Sequence, residues 1–231
     1  MLRTLRTKPI PLLKPQLQRT FLTLPGTETQ SLKASRILPY NSSSLYTIIA
    51  DVDSYSAFLP YCLDSKVSKW SSLDKEGKRW PAEGTLRIGW SGIEETFTSR
   101  LFCIPKSTVE ALSGEATSSL PESELSHHSD TLNGPEIPNS IFKTLKTRWT
   151  IRPFHYKPPS GNPRTDKAEH EPRDQSEVHL EIEFSFSNPI YAALSKAAAP
   201  KVAGVMIEAF EVRARKLLDG PAAAVPGKDS L

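Results

Sequence analysis

The sequence predicts an α+β fold in which a curved antiparallel sheet wraps around a long C-terminal helix. Three observations carry this. In 187–218, Tyr191, Leu194, Ala198, Val202, Val205, Met206, Ala209, Phe210 and Leu217 recur at steps that mostly make one helical stripe. Just before it, Val178, Leu180, Ile182, Phe184 and Phe186 alternate strictly with His179, Glu181, Glu183 and Ser185, the period of a half-buried strand. Upstream, strand-like stretches follow one another with no helix of comparable length between them, which is an α+β order.

Taken in order, Leu32 to Tyr40 reads as the first strand, with Pro39 at its end or on an exposed edge. Asn41 or Ser42 then caps a short helix that turns Leu45, Ile48, Ile49 and Val52 inward. Residues 53–63 carry Tyr55, Phe58, Leu59 and Tyr61, and Pro60 interrupts them, so a second short helix should end in a proline turn. Strands are expected over 65–71, over 79–90 and from Glu94 to Ile104. In the second of these, Ala82, Gly84, Leu86, Ile88 and Trp90 share a face, and the small residues at 82 and 84 should leave space above the sheet. Pro105 and Lys106 turn the chain into STVEALS. Ile141 to Pro153 resumes the sheet, with Ile141, Leu145, Trp149 and Ile151 on one face. The stretches 114–140 and 156–175 are polar and without period, and are expected to be disordered insertions.

The final helix starts at a cap on Ser187 or Asn188, with Pro189 in its first turn, and stops at Gly220 and Pro221. A continuous rod of this length would be about 45 Å long. Pro200 should kink it and leave the second half to line whatever lies beneath.

Composition bounds the function. The chain has 231 residues, 38% of them apolar, and twenty prolines. That suits one core diluted by unstructured segments. A net charge of +3 with mixed signs makes no case for nucleic acid. Two cysteines outside any CxxC give neither a disulfide framework nor a structural zinc site. No apolar run approaches the roughly twenty residues of a membrane-spanning helix. His127, His128, His155 and His170 lack ligand spacing, and His179 sits on the polar face of a strand. Glu94 and Glu95 are adjacent, so on a strand they point to opposite faces. No metal site and no catalytic residue are therefore expected. The first thirty residues hold Arg3, Arg6, Lys8, Lys14 and Arg19 and no acid before Glu28, the composition of a mitochondrial transit peptide or of a disordered basic tail. The organisation expected is thus 1–30 transit peptide or disordered, 31–219 one domain, and 220–231 a disordered tail.

Three stretches resemble the mitochondrial coenzyme Q-binding protein family of the START-like, polyketide-cyclase superfamily. They are SRILPYNSSSLYTIIADVDSYSAFLPYC at 35–62, W-x-G-I-E-E-T-F-T-S-R at 90–100, and F-x-F-x-N-P-I-Y-A-A-L-x-K-x-x-A-P-K-V at 184–202. The likeness covers most of 32–218. It departs at Leu59-Pro60-Tyr61-Cys62, where the family usually has Leu-Pro-Trp-Cys.

The resemblance implies a helix-grip (START-like) fold that is not an enzyme and needs no catalytic cofactor. It implies that coenzyme Q (ubiquinone) binds in a hydrophobic cavity, and that the protein acts as a lipid-quinone carrier or chaperone for respiratory electron transport and efficient Q biosynthesis. It places the protein in the mitochondrion, at the matrix face of the inner membrane. Implied partners are the membrane surface and respiratory or Q-biosynthetic complexes, with no nucleic acid. Phe58, Leu59, Pro60 and Tyr61 are then expected to form a gate, and Trp90, Phe97, Val202, Val205, Met206 and Phe210 to line the cavity. The Tyr61 O–H is a candidate donor to a quinone carbonyl. Periodicity alone reads the helix stripe as core; only the resemblance makes it a channel wall. Two other classes stay open. A cyclase-type enzyme of the same superfamily needs a convergent acid–base pair, and none is evident. A ribosome-interacting module like some bacterial relatives needs a basic surface.

Overall fold

The computed structural model describes residues 28–90, 92–139, 141–154, 174–195 and 199–220. Its strands are β1 (Gln30–Leu38), β2 (Cys62–Trp70), β3 (Pro81–Trp90), β4 (Ile93–Ile104), β5 (Thr108–Gly114), β6 (Phe142–Phe154) and β7 (Gln175–Phe186). They form one antiparallel seven-stranded sheet in the order β1-β7-β6-β5-β4-β3-β2. Strands β2 to β7 run as a meander, so only the step from β1 to β2 crosses the sheet from edge to edge. That crossing is made by helix α1 (Ser42–Ala50) and a 3-10 helix, Val52–Ala57.

The strict alternation in β7 sets the inner face. Val178, Leu180, Ile182 and Phe184 are buried, and they lie opposite Ile151, Trp149, Thr147 and Leu145 of β6 in register. Each such side chain, fully buried, contributes about 1.5–3 kcal/mol. Of the two candidate caps for α1, Asn41 is the one used: its side chain accepts from the Ser44 N–H at 2.8 Å. Leu45, Ile48 and Ile49 point into the core, where α1 sits over β5 and β6.

The C-terminal helix departs from expectation. Two helical segments are described, α3 (Pro189–Ser195) and α4 (Ala199–Leu218), and residues 196–198 fall outside the described residues. Pro200 is the second residue of α4. The kink expected at Pro200 would fall between α3 and α4, at residues outside those described. The stripe is also rotated: the buried residues of α4 are Ala203, Ile207, Phe210 and Ala214. The apolar pattern overlooked Ile207 and the alanines. Small side chains at 203 and 214 let the helix lie close to β1, on which it mainly rests. Leu217 is exposed. Polar contacts add to this seam, Arg36 Nε to Glu211 Oε2 at 3.2 Å and Tyr40 O–H to Asp219 Oδ1 at 2.9 Å.

A second departure concerns 114–140, expected as a disordered insertion. After Gly114, residues 115–139 pack on the outer face of the sheet through two 3-10 turns, Glu122–Glu124 and Ser126–His128, and a short helix α2 (Ser129–Leu132). Leu125 is fully buried against Phe102, Leu112 and Ala116. The pairing of β3 with β4 ends at Glu83–Arg100, which leaves Cys103 backbone groups needing other partners. The Cys103 N–H donates to His128 Nε2 at 3.0 Å, and His127 Nε2–H donates to the Cys103 carbonyl at 2.9 Å. Ser118 Oγ donates to Glu110 Oε1 at 2.5 Å, and the Arg148 guanidinium pairs with the same carboxylate, which is fully buried. These anchors have neither helical nor strand period, which is why the pattern of apolar residues missed them. The other expected insertion, 156–175, lies almost wholly outside the described residues, as do the basic start 1–27 and the tail 221–231.

Burial, followed by the neighbouring His127, lowers the His128 pKa from 6.5 to about 3. The folded chain therefore binds one proton fewer than the unfolded chain between those values. Stability from this group is complete above pH 6.5 and falls as pH drops toward 3, by up to about 1.4 kcal/mol per pH unit. His128→Gln keeps an acceptor for the Cys103 N–H but cannot titrate. Its loss of thermal stability between pH 7 and pH 5 is expected to be smaller than that of the wild type; parallel losses in a calorimetric pH series would contradict this.

Candidate functional site: a cavity beneath the C-terminal helix

Three covering elements meet above the sheet without closing over its middle. α4 rests mainly on β1, with further contacts to β7; the 3-10 helix packs on β2; α1 lies over β5 and β6. Between them is a cavity of ≈ 270 Å³. Its floor comes from alternate residues of the central strands: Leu86 and Ile88 of β3, Phe97, Ser99 and Leu101 of β4, Val109 and Ala111 of β5, and Leu145, Thr147 and Trp149 of β6. Ile182, Phe184 and Phe186 of β7 and Leu32 of β1 form one wall. Val52, Tyr55 and residues 59–62 form the other, under Val202 and Met206 of α4. The smaller side chains Ser99, Ala111 and Thr147 lie on the central strands, so they leave the space there.

One end is aromatic. Phe142 stacks on Phe186 at 5.1 Å between ring centroids and meets Phe97 edge-on at 5.7 Å. Phe186 lies 6.4 Å from Tyr191 of α3, whose O–H donates to Glu95 Oε1 at 2.8 Å. That hydrogen bond ties α3 to the β3–β4 hairpin.

The rim at 59–62 is a strained turn. Pro60 stands at its second position, Tyr61 has φ +66° at its third, and the Cys62 N–H donates to the Leu59 carbonyl at 3.3 Å. This is type II geometry, whose third position favours glycine or asparagine. A tyrosine there costs about 1–2 kcal/mol. The conformation presents Tyr61 both to the cavity and to solvent, with 44% of its surface exposed.

The polar groups of the cavity are few. Tyr55 O–H donates to the Ile49 carbonyl at 2.5 Å, and burial pushes its pKa up. Ser113 Oγ donates to the Thr98 carbonyl at 2.9 Å, so in the 2.7 Å contact of the two hydroxyls Ser99 is the donor. Burial raises the Cys62 thiol, which favours the neutral form over a nucleophilic thiolate. The Thr147 hydroxyl makes no hydrogen bond among the described residues. No carboxylate, imidazole or amine of the described residues lines the cavity, and none of their acidic, His or Cys side chains cluster in a way that could hold a metal.

Of the residues expected at the site, Leu59, Pro60, Tyr61, Phe97, Val202 and Met206 line the cavity. Phe58 does not: it packs behind the rim, edge-on to Tyr55 at 5.7 Å, with the Arg213 guanidinium 5.7 Å over its ring. Phe210 is core, 5.3 Å from Trp149. Val205 is half-buried but turned off the Val202–Met206 line, as the rotated stripe requires. The side chain of Trp90 lies outside the described residues. The space expected above 82 and 84 is filled, since a Cβ on Gly84 would stand 3.1 Å from Leu101 and 3.5 Å from Val52. Tyr55, Ser99, Ala111 and Thr147 line the cavity without having been marked by the sequence pattern. Strand parity was the available signal for Thr147, because Leu145 and Trp149 on either side were already assigned inward.

The chain matches the family model described as polyketide cyclase/dehydrase and lipid transport over residues 38–211. It is 29% identical over 184 residues to a protein of Schizosaccharomyces pombe named mitochondrial coenzyme Q-binding protein coq10, covering 79% of this chain and 85% of that one. It is 30% identical over 227 residues to the protein of the same name from Eremothecium gossypii, covering 94% and 93%. A START superfamily structure from Mycobacterium smegmatis superposes with a TM-score of 0.54 at 11% identity, covering 81% of this chain and 98% of that one. That last likeness concerns the fold.

Replacing Tyr61 by glycine removes the turn strain and few buried contacts. Tyr61→Gly is expected to leave stability unchanged or to raise it by up to about 1 kcal/mol in urea denaturation. A loss of stability beyond error would mean that the rim contacts of the ring outweigh its backbone strain.

Proposed function

We propose, since the chain belongs to the polyketide cyclase/dehydrase and lipid transport family, that it binds coenzyme Q in this cavity and carries it without transforming it. The observation that supports this most is the cavity itself: largely apolar, opening at a strained rim, and without a charged or imidazole side chain among its described lining. Such a lining suits an isoprenoid quinone and leaves acid–base catalysis without an evident proton carrier. Each CH₂ removed from water adds about 0.8 kcal/mol to binding, so apolar contact dominates affinity. The relatives named coenzyme Q-binding proteins are also named mitochondrial. We place this chain in the mitochondrion, at the matrix face of the inner membrane, handing quinone to the respiratory chain and to the complexes that make it. No helix among the described residues is long and apolar enough to cross a membrane, which agrees with contact at its surface. Loading would part the 53–63 segment from α4, along the seam made by Met206 and the Arg213–Phe58 contact.

The test is organic extraction of the purified full chain followed by mass spectrometry. Ubiquinone should co-extract. Ala111→Leu fills part of the floor and should lower the recovered quinone about tenfold while circular dichroism stays native. Absence of quinone from the wild type, together with salt-sensitive ribosome binding, would overturn the carrier reading in favour of a ribosome-interacting module.

A further inference from the structure

We infer that the quinone enters this cavity head first, with the Thr147 hydroxyl donating to a head carbonyl and the tail leaving past the 59–62 rim. The inference rests on the carrier reading and concerns the orientation of the ligand within it. Size comes first. At ≈ 270 Å³ the cavity lies at the lower end of those that enclose even a drug-sized molecule. A polyisoprenoid quinone cannot be held whole, so one end goes in and the other stays out.

Polarity decides which end. Thr147 stands in the middle of the floor, between Leu145 and Trp149 on β6, opposite Ala111 of β5 and Ile182 of β7. The other hydroxyls inside are committed, Tyr55 to the Ile49 carbonyl and Ser99 to Ser113. Tyr61 sits on the rim with 44% of its surface exposed, so its hydroxyl does not depend on a ligand for a partner. Thr147 therefore offers a donor that makes no hydrogen bond among the described residues, in surroundings that are otherwise apolar. Leaving that donor unpartnered beneath a ligand is unfavourable, and an isoprenoid chain has no acceptor for it. A quinone carbonyl does. Trp149, next along the strand, gives the ring an aromatic neighbour.

The test uses Thr147→Val, which keeps the shape and strand preference of the side chain and removes only the hydroxyl. Full-length wild type and variant are titrated with ubiquinone carrying two isoprene units and with an isoprenoid hydrocarbon of equal length, following tryptophan emission. The carbonyl stretch of the bound quinone is read by infrared difference spectroscopy. The variant should bind the quinone about tenfold more weakly, bind the hydrocarbon as before, and lose a down-shift of the carbonyl band that the wild type shows. Thr147→Ser, which restores a donor, should restore the shift. An unchanged band and affinity in Thr147→Val would overturn the inference, as would an affinity that climbs with every isoprene unit added. Failure of the wild type to bind either quinone or hydrocarbon would overturn the carrier reading instead, and this inference with it.

Discussion

The single edge-to-edge crossing between β1 and β2 is the constraint on which the rest of this structure depends. It places the first strand beside the last, so the helix that follows β7 is delivered over β1. It also forces the chain to pass α1 and the 3-10 helix across the inner face to reach the opposite margin. The covering elements therefore lie around the sheet's middle, each with its own apolar partner. Interiors normally close to the density of an organic crystal. Here the floor includes Ser99, Ala111 and Thr147 on its central strands, and side chains of that size leave a gap beneath the helix.

The outer face follows a different logic. Its central strands would expose Phe102 and Leu112, and the buried carboxylate of Glu110 would be stranded without Arg148. The 115–139 segment answers both needs. It lays Leu125 and Ala116 over the apolar pair and brings Ser118 to the carboxylate. A fully buried carboxylate is tolerated only when paired and hydrogen-bonded, so this segment belongs to the sheet's own stability.

Much of this was legible in residues. The alternation of β7 and the run of strands before it carry the fold class, and strand parity orients most of the floor. Leu59, Pro60, Tyr61, Phe97, Val202 and Met206 were within reach of a family likeness. The rest was hidden for identifiable reasons. A helix stripe read from bulky residues favours Val205 over Ala203, although close approach selects the small side chain. Gly84 reads as vacant space in one dimension, whereas Val52 and Leu101 arrive there only through the crossover. Residues 115–139 are anchored by isolated contacts at the ends of 3-10 turns, and no window of periodicity registers them. Thr147 is unremarkable as one threonine in a polar-outside strand until its neighbours' hydroxyls are found to be engaged.

The two histidines on the outer face hold opposite ends of one residue. Because the Cys103 N–H can only donate, the ring of His128 must present a bare Nε2 and carry its proton on Nδ1. Because the carbonyl can only accept, His127 must carry its proton on Nε2. Adjacent side chains of identical chemistry are thus sorted into complementary tautomers by a single strand residue. Neither ring can exchange its proton position without losing its bond, and the His128 Nδ1–H is left buried without a partner among the described residues. The segment is consequently held at both backbone groups of Cys103, and losing either ring would leave one of them without its partner.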